Sequence, residues 1–441
     1  MEGQPLDLDE VRERLVHDGV PADDTARIDE IRLLEQLKCA AEARQARIAS
    51  AFDASQRRRA ADQGVPADRQ GRGVAHQVAF ARRVSPNRGM RLLGLAKVLP
   101  EMPHLAAAFA EGRVTEWRVT QLLKETACLT LEHRQEVDQR LCADADELER
   151  TGDRQLLGRA RALAAELDAK AAAEARAKAE NNRRVTLRPA PDTMTYLTGL
   201  LPVKDGVAAL ASLRAAAQQK VSAGEMTSIS QAMADVLVER VTGRAPGSGV
   251  PVTIDLVMTD NALLDGSDDT AYLDENGPIP ADLARAIVAG NVDAGLRTWI
   301  RRLYTAPSSG ELVSMDSRQR LFPALLAKMI TLRDQYCRNP WCNSRIKHTD
   351  HVRPHHEDGA TSAENGQGLC ESCNHAKQAP GWSAEVFDAH SHTVATTTPT
   401  GHTYLSQAPP LVRVAPDNLR YVERRHTSPI KLELDLYYEP A

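Results

Sequence analysis

Four of the seven cysteines in this 441-residue chain fall within one short stretch, as two close pairs. The first pair is Cys337 and Cys342, and the second is Cys370 and Cys373. Two pairs at these spacings supply four thiolates, which is a ligand set of tetrahedral zinc. Because four protein ligands leave no position for water, such an ion stabilises the fold and does not catalyse. We therefore predict a structural zinc site; the alternative is four free cysteines.

Polar residues suited to phosphodiester hydrolysis lie between and just after the cysteine pairs. This reaction needs a base that activates water, a Lewis acid for the leaving oxygen and a group that orients the base. Asp350, His351, Asn365 and Asn374 have side chains of the required types. Asp350 and His351 are adjacent, so on a strand they point to opposite faces unless the chain bends between them. The residue types indicate nuclease chemistry, but the spacing alone does not establish a site.

The order of these residues resembles the HNH endonuclease motif. It runs Cys-x4-Cys, then Asp-His-Val-x-Pro, then Asn-x3-Leu-Cys-x2-Cys-Asn-x2-Lys, over residues 337–377. The resemblance implies a β-hairpin and a helix around a divalent metal ion, with the four cysteines holding zinc as in one branch of the family. It also implies a metal-dependent endonuclease that hydrolyses DNA.

The resemblance gives a role to each matching polar residue. His351 corresponds to the general base that deprotonates the attacking water, and Asn365 to the residue that orients this base across the loop. Asp350 and Asn374 correspond to the ligands of the catalytic ion. The last position is Asn374 rather than histidine, and its carbonyl oxygen suits Mg²⁺ or Mn²⁺ better than softer metals. We therefore expect Mg²⁺ or Mn²⁺ at this second site.

Basic and histidine side chains lie around the same motif. Lys377 occupies a commonly basic position suited to a phosphate contact, and Arg353 is a second predicted nucleic-acid contact. His348, His355 and His356 are interpreted as satisfied polar or loop residues without a catalytic part.

A looser resemblance extends over most of the chain. The segments 112–115, 201–206, 276–280 and 333–337 resemble an actinobacterial group in which a helical domain of unknown function 222 precedes the HNH module. Only the module part of this resemblance implies an activity.

Hydrophobic periodicity and turn residues predict a mainly α fold with a small α+β module near the C-terminus. Apolar residues recur every three or four positions in segments such as 92–99, Thr115 is a candidate helix cap, and a hairpin is expected around Pro191. We predict four parts: a helical domain (1–245), a mixed α/β connecting region (250–332), the zinc-stapled ββα-metal HNH module (333–382), and a C-terminal β-hairpin with a polar tail (383–441).

Composition and charge restrict how the chain meets its partners. The net charge of −5 argues against a protein that binds nucleic acid through electrostatic attraction over its whole surface. Any contact with DNA must therefore be local. The N-terminus has no secretory signal, and no apolar run is long enough to span a membrane. We expect a soluble cytoplasmic protein without membrane contact, in which the alanine-rich helices offer a surface for homo-oligomers.

The leading hypothesis is therefore a metal-dependent DNA endonuclease. A zinc-stabilised DNA-binding protein that has lost catalysis is the main alternative. The presence of all four candidate site residues, Asp350, His351, Asn365 and Asn374, argues against it. A mobile-element-associated protein whose helical region is the functional part is a third hypothesis. Neither the form of the DNA nor a preferred sequence follows from these residues.

Overall fold

The computed structural model describes residues 7–246, 256–258, 262–263, 266–273, 277–293, 322–389 and 391–409. The polar tail predicted after the C-terminal hairpin, and residues 294–321 of the predicted connecting region, lie outside these ranges. Within the ranges, no helix combines the length and the apolar character needed to cross a bilayer.

From residue 7 onward, ten α-helices precede the first strand. They are α1 (Leu8–His17), α2 (Asp24–Asp62), α3 (Val74–Ala81), α4 (Pro86–Val98), α5 (Pro103–Ala110), α6 (Glu116–Glu125), α7 (Leu131–Cys142), α8 (Ala145–Arg150), α9 (Asp153–Leu167) and α10 (Ala169–Asn181). Several begin at local signals: Pro86 and Pro103 each open a helix, and the side chain of Thr115 accepts a hydrogen bond from the backbone N–H of Arg118 at 3.3 Å. The predicted cap at Thr115 is confirmed.

Contacts divide the chain into two compact units, Met1–Val74 with Met90–Arg176, and Ala75–Gly89 with Ala177–Ala441. In the first unit, helices α5, α6, α7 and α9 pack around the fully buried side chains of Met102, Leu105 and Leu122. The carboxylate of Asp138 on α7 accepts hydrogen bonds from the first free N–H groups of α5. A side chain distant in sequence thereby caps that helix.

A hairpin and two helices follow in the second unit. Strands β1 (Arg184–Pro189) and β2 (Thr195–Leu200) pair antiparallel around the turn at Pro191, as predicted. They lead into α11 (Val203–Ser222) and α12 (Ile229–Thr242), which pack against each other. Every residue of both strands is exposed.

The described part of the connecting region is mixed α/β. Strands β3 (Leu256–Val257), β4 (Ala271–Leu273) and β5 (Gly277–Ile279) form an antiparallel sheet in the order β3-β4-β5. Helix α13 (Ala281–Asp293) covers it through a small core of Ala271, Ile279 and Ala284. The mixed character expected for this region is present in these residues.

The C-terminal part carries the small α+β module. Its elements are α14 (Ala324–Asp334), β6 (His348–His351), β7 (Gly366–Leu369), α15 (Glu371–Lys377), β8 (Ser383–Asp388), β9 (Thr393–Thr397) and β10 (Thr403–Ser406). Strands β6 and β7 form one antiparallel pair, and β8, β9 and β10 form a separate sheet in the order β10-β9-β8. The predicted terminal hairpin is present as β9 and β10, and β8 extends it to three strands. The predicted fold class, mainly α with a small α+β module, is confirmed.

Helix α3 packs on this C-terminal part although it belongs to the N-terminal sequence. The ring of the fully buried Phe80 lies 5.9 Å from that of Trp341, 5.9 Å from that of Trp382 and 5.1 Å from that of Tyr404, between centroids. Such tilted and edge-to-face pairs are favourable beyond the area that they bury. The four-part division of the sequence stays a prediction. It assigns α3 to the N-terminal helical domain, whereas this helix packs on the C-terminal part.

Buried charges join α14 to the hairpin and to the terminal sheet. The guanidinium of Arg333 pairs with Asp334 at 2.8 Å and donates to the carbonyl oxygens of Ala363 and Gly366. Asp334 in turn accepts from the backbone N–H of Gly368 at 2.7 Å. Because every one of these groups is buried and hydrogen-bonded, the network fixes where β7 lies.

A buried histidine beside this network predicts weaker folding in acid. Burial, together with the charge of Arg333, lowers the pKa of His392 from 6.5 to about 4. Between pH 6.5 and 4 the unfolded chain binds a proton at His392 that the folded chain does not bind. The free energy of unfolding therefore decreases as the pH is lowered through this window. The loss for this one group is at most about 3 kcal/mol.

The test compares the wild type with His392→Asn in urea unfolding at pH 7 and pH 4.5. Asparagine suits this position because His392 has a φ of 40°, which asparagine tolerates better than most residues. We expect the variant to lose less stability on acidification than the wild type. Equal losses in both proteins would contradict this role of His392.

Candidate metal centre and nuclease site

The four paired cysteines converge on one point, as predicted. All four are buried, their sulfur atoms lie within 4.8 Å of one another, and the Cys342 and Cys370 sulfurs are 3.8 Å apart. A tetrahedral ion with metal–sulfur bonds of roughly 2.3 Å requires sulfur–sulfur distances of roughly 3.8 Å. The cluster therefore has the geometry to hold a metal ion such as zinc, and it is the only group of this kind within the described ranges.

Two short loops place the ligands. In the first, Trp341 adopts a positive φ of 58°, and the backbone N–H of Cys342 donates to the carbonyl of Asn339 at 3.0 Å. In the second, Cys370 is the N-cap of α15, and its sulfur accepts from the backbone N–H of Cys373 at 3.5 Å. Each pair is thus shaped by local backbone hydrogen bonds.

The sulfur atoms also interact with one another. The hydrogen bond with Cys337 is the main cause that lowers the pKa of the Cys342 thiol to about 7. Hydrogen bonds from the other three cysteines lower the pKa of Cys370. Hydrogen bonds within the cluster raise the pKa of the other two thiols, Cys337 and Cys373, so two of the four lose their protons more readily than the others. A bound metal ion would displace the protons that remain, because the thiolate is the form that binds metal.

Adjacent residues of β6 have different partners. In the register of the hairpin, Asp350 lies opposite Gln367 and His351 opposite Gly366. The Asp350 carboxylate points to α15, while the His351 ring contacts the loop after β6 and the segment before α14. The expectation that neighbours on a strand point to opposite faces agrees with these contacts.

Two side chains outside the motif contact the His351 imidazole. Its Nε2 lies 2.8 Å from the hydroxyl oxygen of Thr361, and its ring centroid lies 4.6 Å from that of Phe322. The His355 ring lies 5.7 Å away, and His351 itself is only 8 % exposed. Neither Thr361 nor Phe322 was identified from the sequence, because neither belongs to the motif and Phe322 is distant from it in sequence.

Asn365 holds the loop between the strands. Its Nδ2 donates to the carbonyl oxygens of Arg353 at 3.0 Å and Ala360 at 2.7 Å, and its Oδ1 accepts from the N–H of Arg353 at 2.8 Å. The loop closes tightly here: a Cβ at Gly359 would lie 1.9 Å from the carbonyl oxygen of Arg353. The amide of Asn365 thus replaces backbone pairing across the loop directly after His351.

Asn374 and Lys377 are three residues apart on α15 and so share one face of that helix. The Lys377 ammonium lies 2.7 Å from the Asp350 carboxylate and also donates to the main-chain oxygen of His351. The Oδ1 of Asn374 is buried and has no hydrogen-bond partner among the described residues. A buried oxygen without a partner is costly, and a bound cation would satisfy it.

These residues fit a divalent ion of the expected kind. A carboxylate and an amide oxygen are hard ligands, which Mg²⁺ and Mn²⁺ prefer. In this structure Lys377, a predicted nucleic-acid contact, instead supplies the positive charge beside Asp350. The other predicted contact, Arg353, is exposed at the start of the loop, as is His356. The roles of all these residues remain predictions.

Two family models match the chain. The first, described as "Domain of unknown function (DUF222)", covers residues 33–334, and the second, described as "HNH endonuclease", covers residues 335–379. No curated protein and no solved structure matches it. The two matches lie in the order that the sequence resemblance implied, and the second contains the cysteine cluster and the β6–β7 hairpin. The chain therefore belongs to the DUF222 family and carries an HNH endonuclease domain after its helical region.

Proposed function

We propose that the HNH domain hydrolyses phosphodiester bonds of DNA in the presence of Mg²⁺ or Mn²⁺. One observation carries the proposal: His351 and Asp350 end one strand, α15 brings Lys377 to Asp350, and Asn374, with its partnerless buried oxygen, lies on the same face of α15 as Lys377. These are a base, two hard oxygen ligands and a cation within one hairpin and helix. Phosphodiester hydrolysis uses such a set.

His351 is the proposed general base, which takes the proton of the attacking water. A base is effective when its ring is held in one orientation. The hydroxyl of Thr361 and the ring of Phe322 hold the imidazole, while Asn365 fixes the loop that follows. This chain therefore holds the His351 ring through Thr361 and Phe322, and the loop after it through Asn365.

A divalent ion held by Asp350 and Asn374 would act as the Lewis acid for the phosphate and the leaving oxygen. Lys377 forms an ion pair with Asp350 in this structure, and its ammonium is the proposed contact for a phosphate bound there. Arg353 is the second proposed phosphate contact. We propose zinc for the four-cysteine site, where it joins the two loops and takes no part in the reaction.

The test is nicking of supercoiled plasmid by the purified full-length protein. We expect nicked circles with added Mg²⁺ or Mn²⁺ and none without added ion. DNA binding without nicking in either ion would contradict the proposal and favour a protein that only binds DNA.

Asn365→Asp tests the positioning of the base. Aspartate keeps the acceptor for the N–H of Arg353 but loses both donors to the carbonyl oxygens of Arg353 and Ala360. We expect kcat for nicking to fall about 10- to 100-fold, because small displacements of a catalytic group cost rates of this order. The control is Asn343→Asp, an exposed amide of the same domain. A change in KM alone, with kcat intact, would oppose a positioning role.

A further inference from the structure

The nuclease domain itself has no excess of positive charge. Residues 335–379 contain five lysines or arginines and five aspartates or glutamates. One of the basic residues, Arg338, is buried and donates to main-chain carbonyls. Affinity for DNA comes largely from neutralised phosphates, so a nuclease with this domain needs a basic surface elsewhere.

The β1–β2 hairpin has one polar and one apolar face. Side chains alternate along a strand, and the register pairs Arg184 with Leu200, Thr186 with Thr198, and Arg188 with Tyr196. These six residues form what we call the polar ribbon face. The opposite face carries Val185, Leu187 and Leu197.

The polar ribbon face is positively charged and open to solvent. From Arg183 to Leu200 the chain has three arginines, and its one acidic residue, Asp192, lies in the turn. All residues of the two strands are exposed. No carboxylate of the described residues forms an ion pair with Arg183, Arg184 or Arg188. In a chain of net charge −5, this is a local site for an anionic partner.

Two features favour duplex DNA as the partner. A two-stranded antiparallel ribbon fits into the major groove, where arginine and threonine side chains contact bases and phosphates. The Arg188 guanidinium lies 4.4 Å from the centre of the Tyr196 ring. This stacking limits the motion of Arg188 and uses the face of the guanidinium, so its N–H groups can still donate hydrogen bonds in the plane of the group.

We propose that the polar ribbon face binds duplex DNA and supplies affinity that the nuclease domain lacks. The inference rests on the proposed function for its biological meaning. Its test does not, because binding can be measured without cleavage. In this proposal Arg184 and Arg188 contact phosphates or base edges in the groove, whereas His351 acts only in the hydrolysis step.

The experiment measures binding of a fluorescently labelled duplex to the full-length protein by anisotropy, without added Mg²⁺ or Mn²⁺, over a range of salt. The double variant Arg184→Gln/Arg188→Gln should bind about 10- to 100-fold more weakly at low salt, and its slope of log K against log salt should be smaller by about 2. The control Arg150→Gln/Arg154→Gln removes the same charge from exposed positions on α8 and α9 and should bind like the wild type.

Each other outcome is decisive. Wild-type affinity and slope in the ribbon variant, with nicking intact, would overturn the ribbon proposal and leave the nuclease standing. An equal loss of DNA affinity in the control variant would show that binding depends on net charge alone, and would also overturn the ribbon proposal. A ribbon variant that loses self-association but keeps its affinity would identify a second copy as the partner. If the wild type binds DNA through the ribbon but never nicks it, only the nuclease proposal fails.

Discussion

Replacing His351 with alanine is expected to lower the rate of Mg²⁺- or Mn²⁺-dependent nicking by about 10²- to 10⁴-fold, the usual contribution of a general base. The imidazole is the group proposed to take the proton of water, and alanine offers no substitute. The measurement is the rate at which supercoiled plasmid becomes nicked under saturating protein. Binding of labelled duplex should stay at the wild-type level, because this side chain is proposed to act in the chemical step.

His356→Ala is the matched control for this variant. Its imidazole lies in the loop that follows His351, but the side chain is 81 % exposed and forms an ion pair with Glu357 at 3.6 Å when protonated. Nicking should be close to that of the wild type. If His351→Ala nicked as fast as His356→Ala, the assignment of the base would be wrong even if the protein remained a nuclease.

Cys370→Ser is expected to lose the bound zinc and to unfold the nuclease domain far more easily. The wild type should carry about one zinc per chain, since four thiolates form one site. Structural zinc contributes on the order of 10 kcal/mol or more to the folding of small domains, so loss of one ligand should cost several kcal/mol. Zinc content by mass spectrometry and the midpoint of thermal unfolding give the two readouts.

Serine makes this substitution specific for the metal. Cys370 is also the N-cap of α15, and serine is a good N-cap that keeps the hydrogen bond to the backbone of Cys373. Cys128→Ser, at a partly buried cysteine outside the cluster, is the control and should keep its zinc. A Cys370→Ser protein with full zinc content and unchanged stability would refute the structural role.

The two predictions also separate the two proposed ions. Zinc, held by four buried thiolates, should survive dialysis, whereas an ion at Asp350 and Asn374 would compete with the ammonium of Lys377 and leave readily. Activity lost on dialysis and restored by Mg²⁺ or Mn²⁺, with zinc content unchanged, is the expected result.

Several features followed from the sequence because their causes are local. The helix cap at Thr115 and the hairpin around Pro191 depend on residues within a few positions. The candidate metal ligands were also evident, because each cysteine pair is shaped by its own loop and the metal preference of four thiolates needs no knowledge of the fold. The order of Asp350, His351, Asn365 and Asn374 between and after the cysteines indicated the HNH domain.

Other features were decided only by the tertiary structure. The contacts of Phe322 and Thr361 with His351, and the ion pair of Lys377 with Asp350, join residues that are apart in the chain. Nothing in the local sequence gives the direction of these side chains, since it depends on how α14 and α15 pack against β6. For the same reason Phe80, in a helix well before the motif, was not expected beside Trp341.

The sequence by itself thus determined which residues can do chemistry and which segments form helices and hairpins, because both depend on residue type and near neighbours. The tertiary structure decided how the candidate base is held, which cation lies at Asp350, and that every residue of the β1–β2 ribbon is exposed. These properties depend on packing between distant segments, which periodicity and motifs do not specify.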